Sequence, residues 1–287
     1  MITYNPKDWF TLIVKFHKSD TFRMLLPSLC FIGIYAAAIV YFEIHFYKIL
    51  TKNSTVMHSI LGFVLSMLLV FRTNTAYDRW WEGRKLWGSM VNNSRNLALK
   101  LATILIHEKD KQEFKHLILN YIYAAKNHLR GTYIQNEFIE TSNMNLSKFA
   151  EAQHKPNMIA KELYAKINQL HQKKDIFPEH LLILNDELKS FSENVGAAER
   201  IKNTPIPYSY NIFLKKMIFI YIMSLPIFFG SEFGFATVPI TIIVLYVFAS
   251  IELIAEEIED PFGADENDLP LDDICKRIKT NIHEIFN

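Results

Sequence analysis

The chain has 287 residues, 50% of them hydrophobic and 21% charged, with a formal net charge of +1. That balance, with basic residues spread along the chain, excludes a nucleic-acid binder, and two cysteines, Cys30 and Cys275, exclude a disulfide framework or a clustered zinc site. So apolar a chain holds either one large core or lipid-facing helices, and the placement of its apolar residues decides between them.

Lys15, Lys18 and Arg23 precede the first apolar run, Leu25 to Tyr47. The run is longer than a signal-peptide core and lacks a small-residue cleavage site, so it is predicted to be retained as a membrane span. The second run, Val56 to Phe71, is about 16 residues, or roughly 24 Å of helix, against a ~30 Å hydrocarbon core. It is predicted to continue as helix beyond the lipid. Phe63, Met67 and Phe71 recur every four residues on one face of this span. If several copies ring an axis, that stripe makes a hydrophobic constriction that gates by dewetting; otherwise it packs on neighbouring helices. Ser59, Gly62 and Ser66 form an adjacent small stripe suited to close helix approach.

Directly after the span comes Phe71-Arg72-Thr73-Asn74-Thr75-Ala76-Tyr77-Asp78-Arg79-Trp80-Trp81-Glu82-Gly83-Arg84. Interfacial anchoring accounts for arginine, tryptophan and tyrosine in such a place. The density of donors and acceptors also suits pairing across subunits or with a passing ion.

Residues 72–211 carry helical periodicity. One helix runs through Phe114, Leu117, Ile118, Tyr121, Ile122, Ala125 and Leu129, with Asp110 and Glu113 as its expected start. A second passes through Ile159, Leu163, Ile167 and Leu170, and a third begins at Pro178 and continues through Leu181, Leu184, Leu188, Phe191 and Val195. Thr141 to Asn157 is expected to be a loop. Thr204-Pro205-Ile206-Pro207 cannot continue a helix and marks the turn back to the membrane.

The last apolar runs are Met217 to Phe235 and Phe235 to Ala255, making four spans. Arg72, Arg79, Arg84, Lys85, Lys215 and Lys216 flank the spans on one side, while the connector at Ser231 and Glu232 has no basic residue. The positive-inside rule then places both termini and the central segment in the cytoplasm, although Lys48 and Lys52 lie in the first outer loop. The expected organisation is an all-α integral membrane protein. It has an N-terminal segment over 1–24, spans within 25–71, a cytoplasmic helical region over 72–211, spans within 212–255 and an acidic tail over 256–287.

The end of the fourth span and that tail crowd Glu252, Glu256, Glu257, Glu259, Asp260, Asp265, Glu266, Asp268, Asp272 and Asp273 around Pro261-Phe262-Gly263, and a Glu252 at membrane depth is expected to face water or a partner. Oxygen-rich clusters can hold calcium, but the EF-hand spacing is absent, and a solvated helix end explains the run equally well. No enzyme is expected: there is no GxGxxG, no P-loop and no HExxH, since His107-Glu108 is followed by Lys109-Asp110-Lys111.

Three landmarks in order, the block Phe71 to Trp87, the turn Ile206-Pro207-Tyr208, and Ile258-Glu259-Asp260-Pro261-Phe262-Gly263-Ala264-Asp265-Glu266-Asn267-Asp268-Leu269-Pro270, closely resemble the short bacterial branch of the bestrophin family. The resemblance covers nearly the whole chain. It implies a homopentamer in the cell inner membrane, with an axial pore whose neck is lined by Phe63, Met67 and Phe71. It also implies a cytosolic constriction near the start of the Pro178 helix, for which Leu181 is the candidate. Passive conduction of monovalent ions is the implied function, chloride by family likeness. A sodium channel of the same fold and a membrane-tethered sensor are the alternatives. The partners expected are other copies of the chain, lipid and ions, and not nucleic acid.

No cofactor is expected to be required. Calcium is the family's candidate, with Asp260, Asp265 and Asp268 matching the clasp of animal members. However, Glu257 and Asp260 stand where the animal pattern has amides, and Asn267 interrupts the acidic run. These departures point to carboxylates that pair with basic residues of the same or a neighbouring subunit.

Overall fold

The structure, a computed structural model, describes residues 21–46, 54–142 and 146–287. Lys15, Lys18, Lys48, Lys52, Tyr47 and most of the 1–24 segment lie outside the described residues. Every regular element among the described residues is helical. Nine α-helices are described: α1 Thr21–His45, α2 Ser54–Ile104, α3 Glu108–Arg130, α4 Leu146–Glu151, α5 Lys155–Gln172, α6 Pro178–Asn203, α7 Tyr208–Phe233, α8 Thr237–Glu259 and α9 Leu271–Phe286.

Packing divides the chain into two compact units. One, here called the spanning unit, comprises residues up to Arg79 and Pro205–Glu259; the other, the body, is Trp80–Thr204 with Asp260–Asn287. Hydropathy alone ends the second apolar run at Phe71. Packing keeps the next two turns of α2 with the spanning unit.

Three stretches among the described residues are long and apolar enough to cross a membrane: Thr21–His45, Val56–Ile104 and Tyr208–Glu259. The third, of 52 residues, is not one rod. It breaks at Gly234, whose φ of +54° lies in the region where a Cβ is disfavoured, and a single 3-10 turn, Gly234–Ala236, links α7 to α8. Ile32, Leu65, Leu69, Leu214, Ile218 and Ile222 form the interior of this unit.

The body is built on one apolar core shared by the C-terminal part of α2 with α3, α5, α6 and α9. Helix α9 buries Leu271, Ile274, Cys275, Ile278, Ile282 and Phe286, a helical repeat that lays one face on that core. The Cys275 thiol is pushed up to about 12 by burial, chiefly through desolvation, which leaves it unreactive.

Two local expectations are corrected. Helix α3 begins at Glu108 after an extended His107 with no side-chain cap, and Asp110 and Glu113 instead bind Lys166 of α5. The tertiary ion pair outcompetes the capping role. The expected loop Thr141 to Asn157 contains the short helix α4 and the first turn of α5, where the His154 side chain accepts the Asn157 N–H and Pro156 occupies the first turn. A histidine cap is rare enough that sequence reading passed over it.

Candidate functional site

Helix α2 separates its side chains into two faces within the spanning unit. His58, Leu65, Leu69, Arg72 and Ala76 are buried on one face. Gly62 faces α7 so closely that an added Cβ would lie 2.7 Å from the Tyr221 hydroxyl, so the small stripe serves close approach at this point. Phe63, Met67 and Phe71 lie on the other face, 67%, 44% and 58% exposed within the single chain. Large apolar side chains left this bare need lipid, another copy or a pore to face. Ser66 returns its hydroxyl to the Gly62 carbonyl at 2.8 Å, and Thr73 and Thr75 do the same to Leu69 and Phe71. The stripe is therefore flanked by polar side chains already occupied by their own helix.

A buried charged collar follows the stripe. Arg72, 1% exposed, places its guanidinium 2.6 Å from Glu259 and 3.6 Å from Glu252, both on α8. The second Glu259 oxygen accepts the Ile206 N–H at 2.6 Å, and Arg79 donates to the Glu259 backbone carbonyl at 3.0 Å. One acidic side chain of the tail thus fastens α2, the prolyl turn and the end of α8 together. Sequence reading had placed Glu259 in the acidic run without a partner; the signal available was an arginine and a glutamate at the edges of two apolar spans.

In the body, the two motifs that carried the resemblance pack on one another. Trp80 donates its indole N–H to the Asn267 carbonyl at 3.0 Å, and a Cβ on Gly83 would come within 3.0–3.1 Å of Pro261 and Phe262. Asp268 turns inward, 2% exposed, and accepts the Asp265 N–H at 2.7 Å. Asp260 accepts the Phe262 N–H at 3.3 Å. Glu257, Asp260, Asp265 and Asp268 do not bring three ligand oxygens together. Their carboxylates do not fit a calcium cage, whose six to eight oxygens must converge at about 2.4 Å; those of Asp260 and Asp268 cap the turn's own backbone.

Leu181, the candidate for a cytosolic constriction, is partly buried against the body's core, while its neighbour Leu182 is 74% exposed. Both lie in the first turns of α6.

Two further charged clusters occupy the body. Lys126, almost fully buried, binds Glu137 and also Asp272, the latter at 2.8 Å, and Arg130 binds the other Asp272 oxygen at 2.7 Å. Burial opposes the charged form of Asp272, but hydrogen bonds from Lys126 and Arg130 outweigh it and hold the carboxyl below its ordinary range. Burial likewise opposes the charge on Lys126, and its two carboxylate partners reverse that, raising it. Elsewhere His128, His154 and Glu199 converge, with both ring Nε2 atoms on one Glu199 oxygen, at 2.6 and 2.8 Å. Because His154 Nδ1 accepts the Asn157 N–H, its neutral ring carries the proton on Nε2 and donates it to Glu199. This trio is set as a hydrogen-bonded clamp between α3, α5 and α6.

The family model for bacterial and fungal bestrophin proteins matches residues 1–284. The chain belongs to the bestrophin family. A voltage-dependent anion channel-forming protein of Nostoc sp. is 38% identical over 228 residues, 77% of this chain and 74% of that protein. The protein of the same description, YneE, from Escherichia coli K12 is 28% identical over 288 residues, covering 98% of this chain and 93% of its own. A crystal structure of a bacterial bestrophin homologue from Klebsiella pneumoniae, 22% identical, superimposes with a TM-score of 0.84 over 91% of this chain and 98% of that one. The all-helical bestrophin fold is thus shared, and the family is one of channels rather than enzymes.

Proposed function

We propose that this bestrophin is the pore-forming subunit of a homopentameric channel that passes monovalent ions passively across the cell inner membrane. The observation that carries this reading is the bare stripe Phe63, Met67 and Phe71 on a helix whose opposite face is packed. Five copies of α2 around an axis would turn that stripe inward as a neck that gates by dewetting. The break at Gly234 supports four crossings, with α7 and α8 as an antiparallel pair, and the basic flanks support cytoplasmic termini. Leu181 and its neighbour Leu182 are the candidates for a second constriction, and no calcium is needed.

Chloride is the favoured cargo, because relatives are named as anion channel-forming proteins and the aromatic edges of Phe63 and Phe71 offer weak positive poles. A sodium-conducting form is the second reading, since the neck has no formal charge to reject a cation. Purified protein in a planar bilayer under asymmetric NaCl distinguishes them. Discrete currents reversing toward the chloride potential are expected; reversal toward the sodium potential selects the second reading, and silence from verified pentamers rejects both.

A further inference from the structure

The buried collar behind the neck sets Arg72 against two carboxylates, Glu252 and Glu259, with Arg79 on the Glu259 backbone carbonyl. Arg72 follows Phe71 directly on α2, so its charge is rooted at the end of the neck stripe. Glu259 is a satisfied anion, taking the Arg72 guanidinium on one oxygen and the Ile206 N–H on the other. Glu252 is 4% exposed, and neither of its oxygens accepts a hydrogen bond; Arg72 Nε, 3.6 Å away, is its nearest charge partner. The remaining charged groups around it are Glu256 on α8 and Lys215 on α7, which pair with each other at 2.8 Å and cancel. Arg72 gives its hydrogen bond to Glu259 and Arg79 donates to the Glu259 backbone carbonyl, so the Glu252 carboxylate is left without a hydrogen-bonded cation. A sealed carboxylate without a hydrogen bond resolves that cost by taking up a proton.

We propose that Glu252 determines which sign of ion the neck favours, by holding or releasing the proton that balances the Arg72 collar. The inference rests on the reading of the chain as a channel with this neck. With Glu252 protonated, the Arg72–Glu259 pair adds no net charge and the aromatic edges of the neck favour anions. With Glu252 ionised, every subunit adds one negative charge to a low-dielectric wall, which repels anions and draws cations. Selectivity thereby follows pH through a residue that does not line the pore.

The test compares wild type with Glu252→Gln in planar bilayers under asymmetric NaCl, from mildly acidic to alkaline pH. The wild-type chloride-to-sodium permeability ratio is expected to fall by about tenfold or more as pH rises. Glu252→Gln, which cannot ionise, should keep the acid-side ratio throughout. A structural role for Glu252 would change current size or pentamer yield without moving that pH profile. Currents whose ratio shifts equally in both proteins overturn the inference, and so does a wild-type ratio that stays constant from acid to alkali. If Glu252→Gln does not assemble, wild type alone decides: the infrared band of a buried carboxylic acid must vanish over the pH range in which the ratio falls, and a ratio that moves independently of the band overturns the inference. Silent wild-type pentamers overturn the channel reading itself, whereas currents with a fixed ratio leave that reading intact.

Discussion

The two units of this chain treat buried charge in opposite ways. In the body, Lys126 lies between the acceptors Glu137 and Asp272, to which Asn127 and Arg130 also donate, so every charged group of this knot has a partner. In the spanning unit, Arg72 keeps Nε and Nη1 without hydrogen bonds, and Glu252 and, on α1, Glu43 are buried with neither oxygen bonded. Apolar surface follows the same contrast. The body gathers its large residues into one core, whereas the spanning unit leaves Phe63, Met67 and Phe71 bare. A saturated knot is a stabilising fixture; an unsaturated one within lipid-facing helices is where charge can change with conditions.

The largest effect expected from breaking the saturated side is at Lys126. Lys126→Met removes the cation from between Glu137 and Asp272, and loss of a buried partner typically costs about 3 kcal/mol. Thermal unfolding followed by helical circular dichroism should show the loss. A variant as stable as wild type would mean that the knot contributes specificity and no stability.

Next in size is the contrast between the two faces of α2. Leu69→Ala opens a cavity at a residue 2% exposed and should cost about 2 kcal/mol of resistance to denaturing detergent. Phe63→Ala, Met67→Ala and Phe71→Ala together remove more carbon from the bare face yet should cost less stability, while single-channel conductance rises several-fold. A triple variant that loses stability like Leu69→Ala and gains no conductance would assign the stripe to packing and remove the neck.

Much of this division was legible in the sequence, though unevenly. The four apolar runs, the start of α6 at Pro178 and the prolyl turn at residues 204–207 followed from hydropathy and backbone restriction, which act locally. The Phe63, Met67 and Phe71 stripe was visible as a four-residue period. What stayed hidden was long-range pairing. Arg72 and Glu259 are 187 residues apart, and Trp80 and the Asn267 carbonyl are as far apart along the chain. Periodicity carries no information about which charge meets which, so the acidic run hid three structures: a collar at Glu252 and Glu259, a self-capped turn from Asp260 to Leu269, and the Lys126 knot at Asp272. Likewise the Asp110 and Glu113 pattern matched a capping box, and only the approach of Lys166 from α5 reassigned it.

The smallest effect concerns the pH dependence of the saturated knot. Asp272 titrates below its ordinary 3.8, so its contribution is present above that value and is lost as pH falls through the depressed folded value. Lys126 titrates above its ordinary 10.5, so its contribution is complete below that value and is lost as pH rises through the raised one. Between those limits Asp272 and Lys126 both keep their charges, and their contribution to body stability should be flat with pH. Asp272 is half exposed, so solvent screens its share and the acid limb should be shallow. Asp272→Asn should lower the neutral plateau slightly and flatten the acid limb, read as melting temperature against pH. The spanning unit differs because neither Glu252 oxygen accepts a hydrogen bond. Selectivity that changes within the range where wild type and Asp272→Asn melt with parallel pH profiles would therefore separate the two clusters. Coincident changes would mean that the body's knot, and not the collar, carries the pH response.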